Sequence, residues 1–92
     1  MTLQEREARA CAIIDSMAEE LRDVSLYLHD NPELGLNEHK AVKVINQFLE
    51  NHNFTSQVGL TDLPELQTAL RGDYNGTAQH KIAFLGEYDA LP

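Results

Sequence analysis

Ile82-Ala83-Phe84-Leu85-Gly86-Glu87-Tyr88-Asp89-Ala90-Leu91-Pro92 is the stretch that decides how this chain is read. Its first four residues form a continuous apolar run, which suits a strand covered on both faces of an α/β sheet; a half-exposed strand would alternate. Gly86 then removes a side chain. Glu87 and Asp89 lie two apart, so a chain still extended there points both carboxylates to the same side. Open α/β sheets gather ligands and catalytic groups at the carboxyl ends of their strands, and this acidic pair falls at such an end.

Working upstream, Asn75-Gly76 is a short-range hairpin signal, in a connection that residues 77–79 make longer than a two-residue turn, and it should lead antiparallel into the Ile82 strand. Before it, Leu66, Thr68 and Leu70 alternate with Gln67, Ala69 and Arg71 as a half-buried strand does, residues 61–64 read as a turn, and residues 55–60 as a further short strand. The period changes before Phe54. Ala41, Val44, Ile45, Phe48 and Leu49 share one face of a helix that Asn37 can cap and that ends near residues 51–53. Ala10, Ile13, Ile14, Met17, Leu21, Val24 and Leu28 mark one long amphipathic helix over residues 2–30. Thr2 and Glu5 form its capping box, and Pro32 stops it. The expected fold class is α/β, with two amino-terminal helices packed on a three-stranded portion of a mixed sheet and the Ile82 strand innermost.

Composition narrows the partners. Hydrophobic residues make up 42% and charged residues 24% of the 92, an ordinary globular balance. Seven Lys+Arg stand against fifteen Asp+Glu, for a net charge of -8. That leaves no basic patch for nucleic acid or an anionic membrane. There is no basic start followed by an unbroken apolar run, and no span of ~20 apolar residues, so neither a secretory signal nor a membrane segment is expected. Cys11 is the only cysteine. It forms no internal disulfide, which suits the cytosol, and it reads as a small buried helix residue.

The connector His29-Asp30-Asn31-Pro32-Glu33-Leu34-Gly35-Leu36-Asn37-Glu38 joins the two helices. His29 and Glu33 have a spacing that shares a metal on a helix, but Pro32 between them opposes a regular helix, and His29 reads as a hydrogen-bonded residue at a helix end. His39 and His52 lie toward opposite ends of the second helix with no partner at ligand spacing, so both read as surface residues.

The connector and the segment from Ile82 to Pro92 together resemble the opening of the aminoacylase-like metallopeptidases. The nearest branch is the amidohydrolases, the relatives of hippurate, aminobenzoyl-glutamate and auxin-conjugate hydrolases, and the resemblance runs from about Leu21 to Pro92. It implies a zinc-peptidase-like catalytic α/β domain interrupted by a smaller lid or dimerisation domain, a parent that can be a homodimer, and a small N-acyl amino acid or peptide as substrate. It also implies two divalent metal ions, usually zinc, that hold a hydroxide-like nucleophile and polarise the amide carbonyl while a glutamate shuttles a proton. In much of the wider family a His-x-Asp pair stands where this chain has Glu87-Tyr88-Asp89. A glutamate at 87 supplies no imidazole, and this resembles the amidohydrolase branch, whose metal is bound by a cysteine and a histidine just downstream.

The expectation is therefore an amino-terminal part of a catalytic metallohydrolase domain, residues 1–92, without the lid and without metal ligands of its own. The resemblance places Asp89 beside the metals, accepting a hydrogen bond from a ligand or the adjoining backbone, with Glu87 near the site. Alone, the chain is expected neither to hydrolyse amides nor to bind zinc tightly, and to associate with itself through Phe84 and Leu85. Two other classes fit some of the residues. Carboxylates ~7 Å apart on one strand suit glycoside hydrolysis, though tryptophan is absent. The acidic first helix with its apolar stripe suits a non-catalytic interaction module. A His-x-Cys-Gly-His segment downstream in the reading frame would single out the amidohydrolase.

Overall fold

The computed structural model describes residues 1–60 and 62–92. They form two compact units, Met1–Asp30 and Asn31–Pro92. The turn expected over residues 61–64 includes Thr61, which lies outside the described residues.

The first unit is helical. The capping box is present in both directions: the Glu5 backbone N–H donates to Thr2 Oγ1 and the Thr2 N–H donates to Glu5 Oε2, both at 3.1 Å. The single helix expected over residues 2–30 is instead two, α1 (Leu3–Ser16) and α2 (Ala18–Asp30), interrupted at Met17. The Ser16 hydroxyl donates to the Ile13 carbonyl at 2.6 Å, and the Met17 N–H tightens onto Ile14 O at 3.0 Å, a three-residue turn. A serine bonding back onto its own helix bends it, which accounts for the break. The Leu21 N–H still reaches Met17 O at 2.9 Å, so the chain resumes its helix at once. Met17, Glu20, Val24 and Leu28 are half-buried along one stripe, and no residue of either helix is fully buried. Cys11, expected to be buried, is exposed, because nothing in this unit covers the face of α1 that carries it. α2 ends at Asp30, two residues before Pro32, as the proline dictates.

The second unit is built on α3 (His39–Asn51) against an antiparallel pair, β1 (Thr55–Val58) and β2 (Leu70–Asp73). Ala41 and Val42, 2% and 6% exposed, are its buried apolar residues, with Val44, Ile45, Phe48 and Leu49 half-buried beside them and Lys40, Lys43 and Gln47 outward. The pairing register is Thr55 with Asp73 through Val58 with Leu70. The Gly59 N–H adds a bond to Ala69 O at 2.8 Å, with Gly59 at φ 76°, a backbone that favours glycine. β2 crosses close to α3 at Gly72, where a Cβ would stand 2.8 Å from Leu49 Cδ1.

Three strands were expected and two are described. Residues 66–71 do not form one strand: Pro64–Leu66 is a 3-10 turn and β2 begins only at Leu70. Pro64 has no N–H for a ladder, and its fixed φ suits the first position of a helical turn. The hairpin expected at Asn75-Gly76 is not made among the described residues: no strand follows β2, and neither residue has a positive φ. Among the described residues, 82–85 accordingly have no ladder partner and do not form an inner strand. Ile82, Phe84 and Leu85 are 82%, 92% and 100% exposed.

Candidate functional site

The two stretches singled out in the sequence meet in the second unit. Glu33 lies five residues before the Glu38 that opens α3, yet its carboxylate accepts from the backbone N–H groups of Lys40 at 2.9 Å and Ala41 at 2.8 Å. These are two of the amides that a helix start leaves without intrahelical partners. Asn37, expected as the cap, instead closes a turn by donating its N–H to Leu34 O at 3.0 Å, and Glu38 at the cap position makes no side-chain capping bond. Within that turn Leu36 has φ 72°, a left-handed conformation costly for a leucine. Desolvation pushes the Glu33 carboxyl up, but the two backbone bonds and the electrostatic attraction of His39 and Lys40 outweigh it, leaving its pKa below the usual carboxylate value.

The backbone of the same glutamate takes the other motif. The Ala90 N–H donates to Glu33 O at 2.6 Å, and Leu34 and Ala90 form an isolated parallel bridge. The acidic segment runs beside Gly35, where a Cβ would stand in ordinary contact, 3.5 Å from Asp89 Oδ2.

Tyr88 fixes the segment from its other side. Its hydroxyl donates to the Thr68 carbonyl, and the Thr68 hydroxyl donates to Glu38 Oε1 at 3.1 Å. Thr68 is 4% exposed, so its polar atoms depend on these partners. Burial, and then the Glu38 charge, push the Tyr88 phenol up from its ordinary value. Between residues 65–70 and 86–89 lies an open cleft of about 250 Å³ whose polar lining comes from Glu38, Glu65, Thr68, Glu87, Tyr88 and Asp89.

Glu87 and Asp89 thus line one cleft, both exposed, with Tyr88 between them turned to Thr68. Four carboxylates and a phenol can accept hydrogen bonds and attract positive charge. The two-metal centre that the resemblance implies is not made by this donor set: among the described residues no three His, Cys, Asp or Glu side chains are grouped so as to hold an ion. His29 stands by Asp30 Oδ1 at 3.3 Å and is exposed, while Glu33 engages α3. His39 is exposed at the first residue of α3, and His52 lies against the Phe48 ring at 4.5 Å between centroids. Sequence reasoning passed over Tyr88, Thr68 and Glu38. Tyr88 had a signal, since a residue between two carboxylates of an extended segment faces the opposite way and must bond elsewhere. The reach of Glu33 had none, because capping patterns span three residues and this one spans seven and eight.

The chain is similar to parts of known hydrolases. It is 39% identical over 66 residues to an uncharacterized hydrolase of Staphylococcus haemolyticus, covering 72% of this chain and 16% of that protein. A second uncharacterized hydrolase, from Staphylococcus saprophyticus, is 35% identical over 66 residues, again 72% and 16%. The human Xaa-Arg dipeptidase is 30% identical over 93 residues, 91% of this chain and 21% of that enzyme. The chain therefore spans 16% to 21% of the length of these relatives. No protein-family model matches it, and no solved structure does. Among the described residues no helix is long and apolar enough to cross a membrane.

Proposed function

We propose that residues 1–92 are the amino-terminal part of the catalytic domain of a metal-dependent amide hydrolase. It belongs, on this reading, to the amidohydrolase branch of the aminoacylase-like metallopeptidases and acts on N-acyl amino acids or small peptides. The observation that carries the proposal is the joining of the connector to the acidic segment through Glu33 O and the Ala90 N–H, which makes one cleft border of two motifs whose bonded residues are 57 apart in a chain similar to hydrolases. The peptidase among those relatives supports an amide rather than a glycosidic bond.

The two divalent ions, zinc on this reading, are held by side chains outside residues 1–92. The part of this chain is to orient their surroundings. Tyr88, anchored on Thr68, leaves the flanking Glu87 and Asp89 at the cleft, and the Ala90 N–H on Glu33 O keeps Asp89 close to the connector. Asp89 accepts a hydrogen bond from a ligand N–H or the adjoining backbone and so fixes that ligand's orientation. Glu87 stands beside it without that task. A cytosolic homodimer completes the proposal.

Kinetics of the polypeptide encoded by the whole reading frame test the assignment. Asp89→Asn lowers activity ~10- to 100-fold, with partial recovery on added metal, and Glu87→Gln has a smaller effect. Full activity and metal content in Asp89→Asn, with metal lost in Glu87→Gln, would reverse the two roles. The second reading, a non-catalytic helical module, is favoured by Ile13, Ile14 and Leu26, which α1 and α2 leave 48%, 58% and 47% exposed. An inert, folded product of that reading frame would support it.

A further inference from the structure

We infer that Glu33 is the positioning residue for the acidic segment: its carboxylate pins the connector to α3, and its carbonyl, fixed by that anchor, holds Ala90 and with it Asp89. Three observations on different groups of atoms lead to this. Both carboxylate oxygens are engaged, one on the Lys40 amide at 2.9 Å and one on the Ala41 amide at 2.8 Å. The carbonyl of the same residue accepts from the Ala90 N–H at 2.6 Å, a backbone bond between connector and acidic segment. Between these anchors and α3 the chain passes through Leu36 at φ 72°, a conformation that persists only where its surroundings determine it.

Local alternatives do not explain the arrangement. A helix start is ordinarily capped by the residue at its boundary, and Asn37 and Glu38 were both available. The Asn37 backbone N–H closes the turn on Leu34, while Glu38 makes no side-chain capping bond and its carboxylate accepts from Thr68. Capping is thus delegated to a residue whose backbone carries the second motif. A carboxylate on helix amides is a charge-assisted bond reinforced by the helix dipole, stronger than a neutral cap. The geometry stands without the proposed hydrolase activity; only the importance of Asp89 rests on that reading.

Amide hydrogen exchange in the full 92-residue chain, resolved by NMR, tests the link without any activity measurement. Glu33→Gln keeps the shape and one acceptor oxygen, and Glu33→Ala keeps neither. In Glu33→Ala the Lys40, Ala41 and Ala90 amides are expected to exchange roughly 10-fold faster or more, the factor carried by a hydrogen bond to a charged group. Glu33→Gln gives a smaller change at the same three amides. The Gln57 and Arg71 amides, paired across β1 and β2, report the fold and remain unchanged. Faster exchange at Lys40 and Ala41 with Ala90 unchanged would overturn the inference and leave Glu33 a helix cap alone. Equal acceleration at all five amides in Glu33→Gln would also overturn it, since the effect would then be general loss of stability.

Discussion

Replacing Tyr88 by phenylalanine keeps the ring and deletes one hydroxyl, so it isolates the bond from Tyr88 to the Thr68 carbonyl. Thr68 is 4% exposed, and water cannot readily take the place of the lost donor. The net worth of such a bond is ~0.5–1.5 kcal/mol, and the half-buried position of Tyr88 favours the lower part of that range. With a urea slope of ~1 kcal/mol/M for a chain this small, the unfolding midpoint of Tyr88→Phe falls by ~0.5–1 M near neutral pH. Burial, and then the Glu38 charge, raise the Tyr88 pKa in the folded state, so folding favours the protonated phenol. That contribution is fully present below the unfolded value of ~10 and is lost as pH rises through the folded value. The wild-type midpoint therefore drops more steeply than that of the variant between about pH 9 and pH 11, and the two converge at the alkaline end. Tyr74→Phe, whose ring lies 5.3 Å from Phe54, is the control for loss of a tyrosine elsewhere. Equal midpoints near neutral pH, with parallel alkaline slopes, would refute the anchor between Tyr88 and Thr68.

Thr2→Ala removes the acceptor of the Glu5 N–H and costs the first unit ~1 kcal/mol of helix stability, read as lost ellipticity and faster exchange of the Glu5 amide; unchanged exchange would contradict the capping box. On the acid side, the folded-state pKa of Glu33 is depressed, so its contribution is present above the ordinary carboxylate range and lost as pH falls through the folded value. Urea midpoints measured from neutral pH downward should fall less steeply in Glu33→Gln than in wild type. Residues 82–85 should drive self-association, because Phe84 and Leu85 are 92% and 100% exposed. Light scattering of the 92-residue chain gives a mass above 10.4 kDa that returns toward it in Leu85→Lys, whereas a wild-type monomer would count against the idea.

The elements built from local rules were legible in the sequence. The capping box at Thr2, the stop before Pro32 and the apolar face of α3 from Ala41 to Leu49 all follow from interactions within a few residues. What failed depended on distant partners. A continuous apolar run such as 82–85 becomes an inner strand only when two other strands accept its backbone groups, and this chain pairs its two strands with each other. The split of the first helix came from one hydroxyl, Ser16 on Ile13 O, that the apolar stripe does not report. At the candidate cleft, the spacing of two that sets Glu87 and Asp89 apart was legible, while the bonds that Glu33 makes were not. Its carboxylate bonds span seven and eight residues and its carbonyl bond 57.

The most direct measurement is release of free amino acid from N-acyl amino acids and dipeptides by the purified product of the complete reading frame, before and after metal removal. The account predicts catalytic release that a chelator abolishes and zinc restores. A folded, zinc-supplied protein that releases no amino acid from either class of substrate would contradict it.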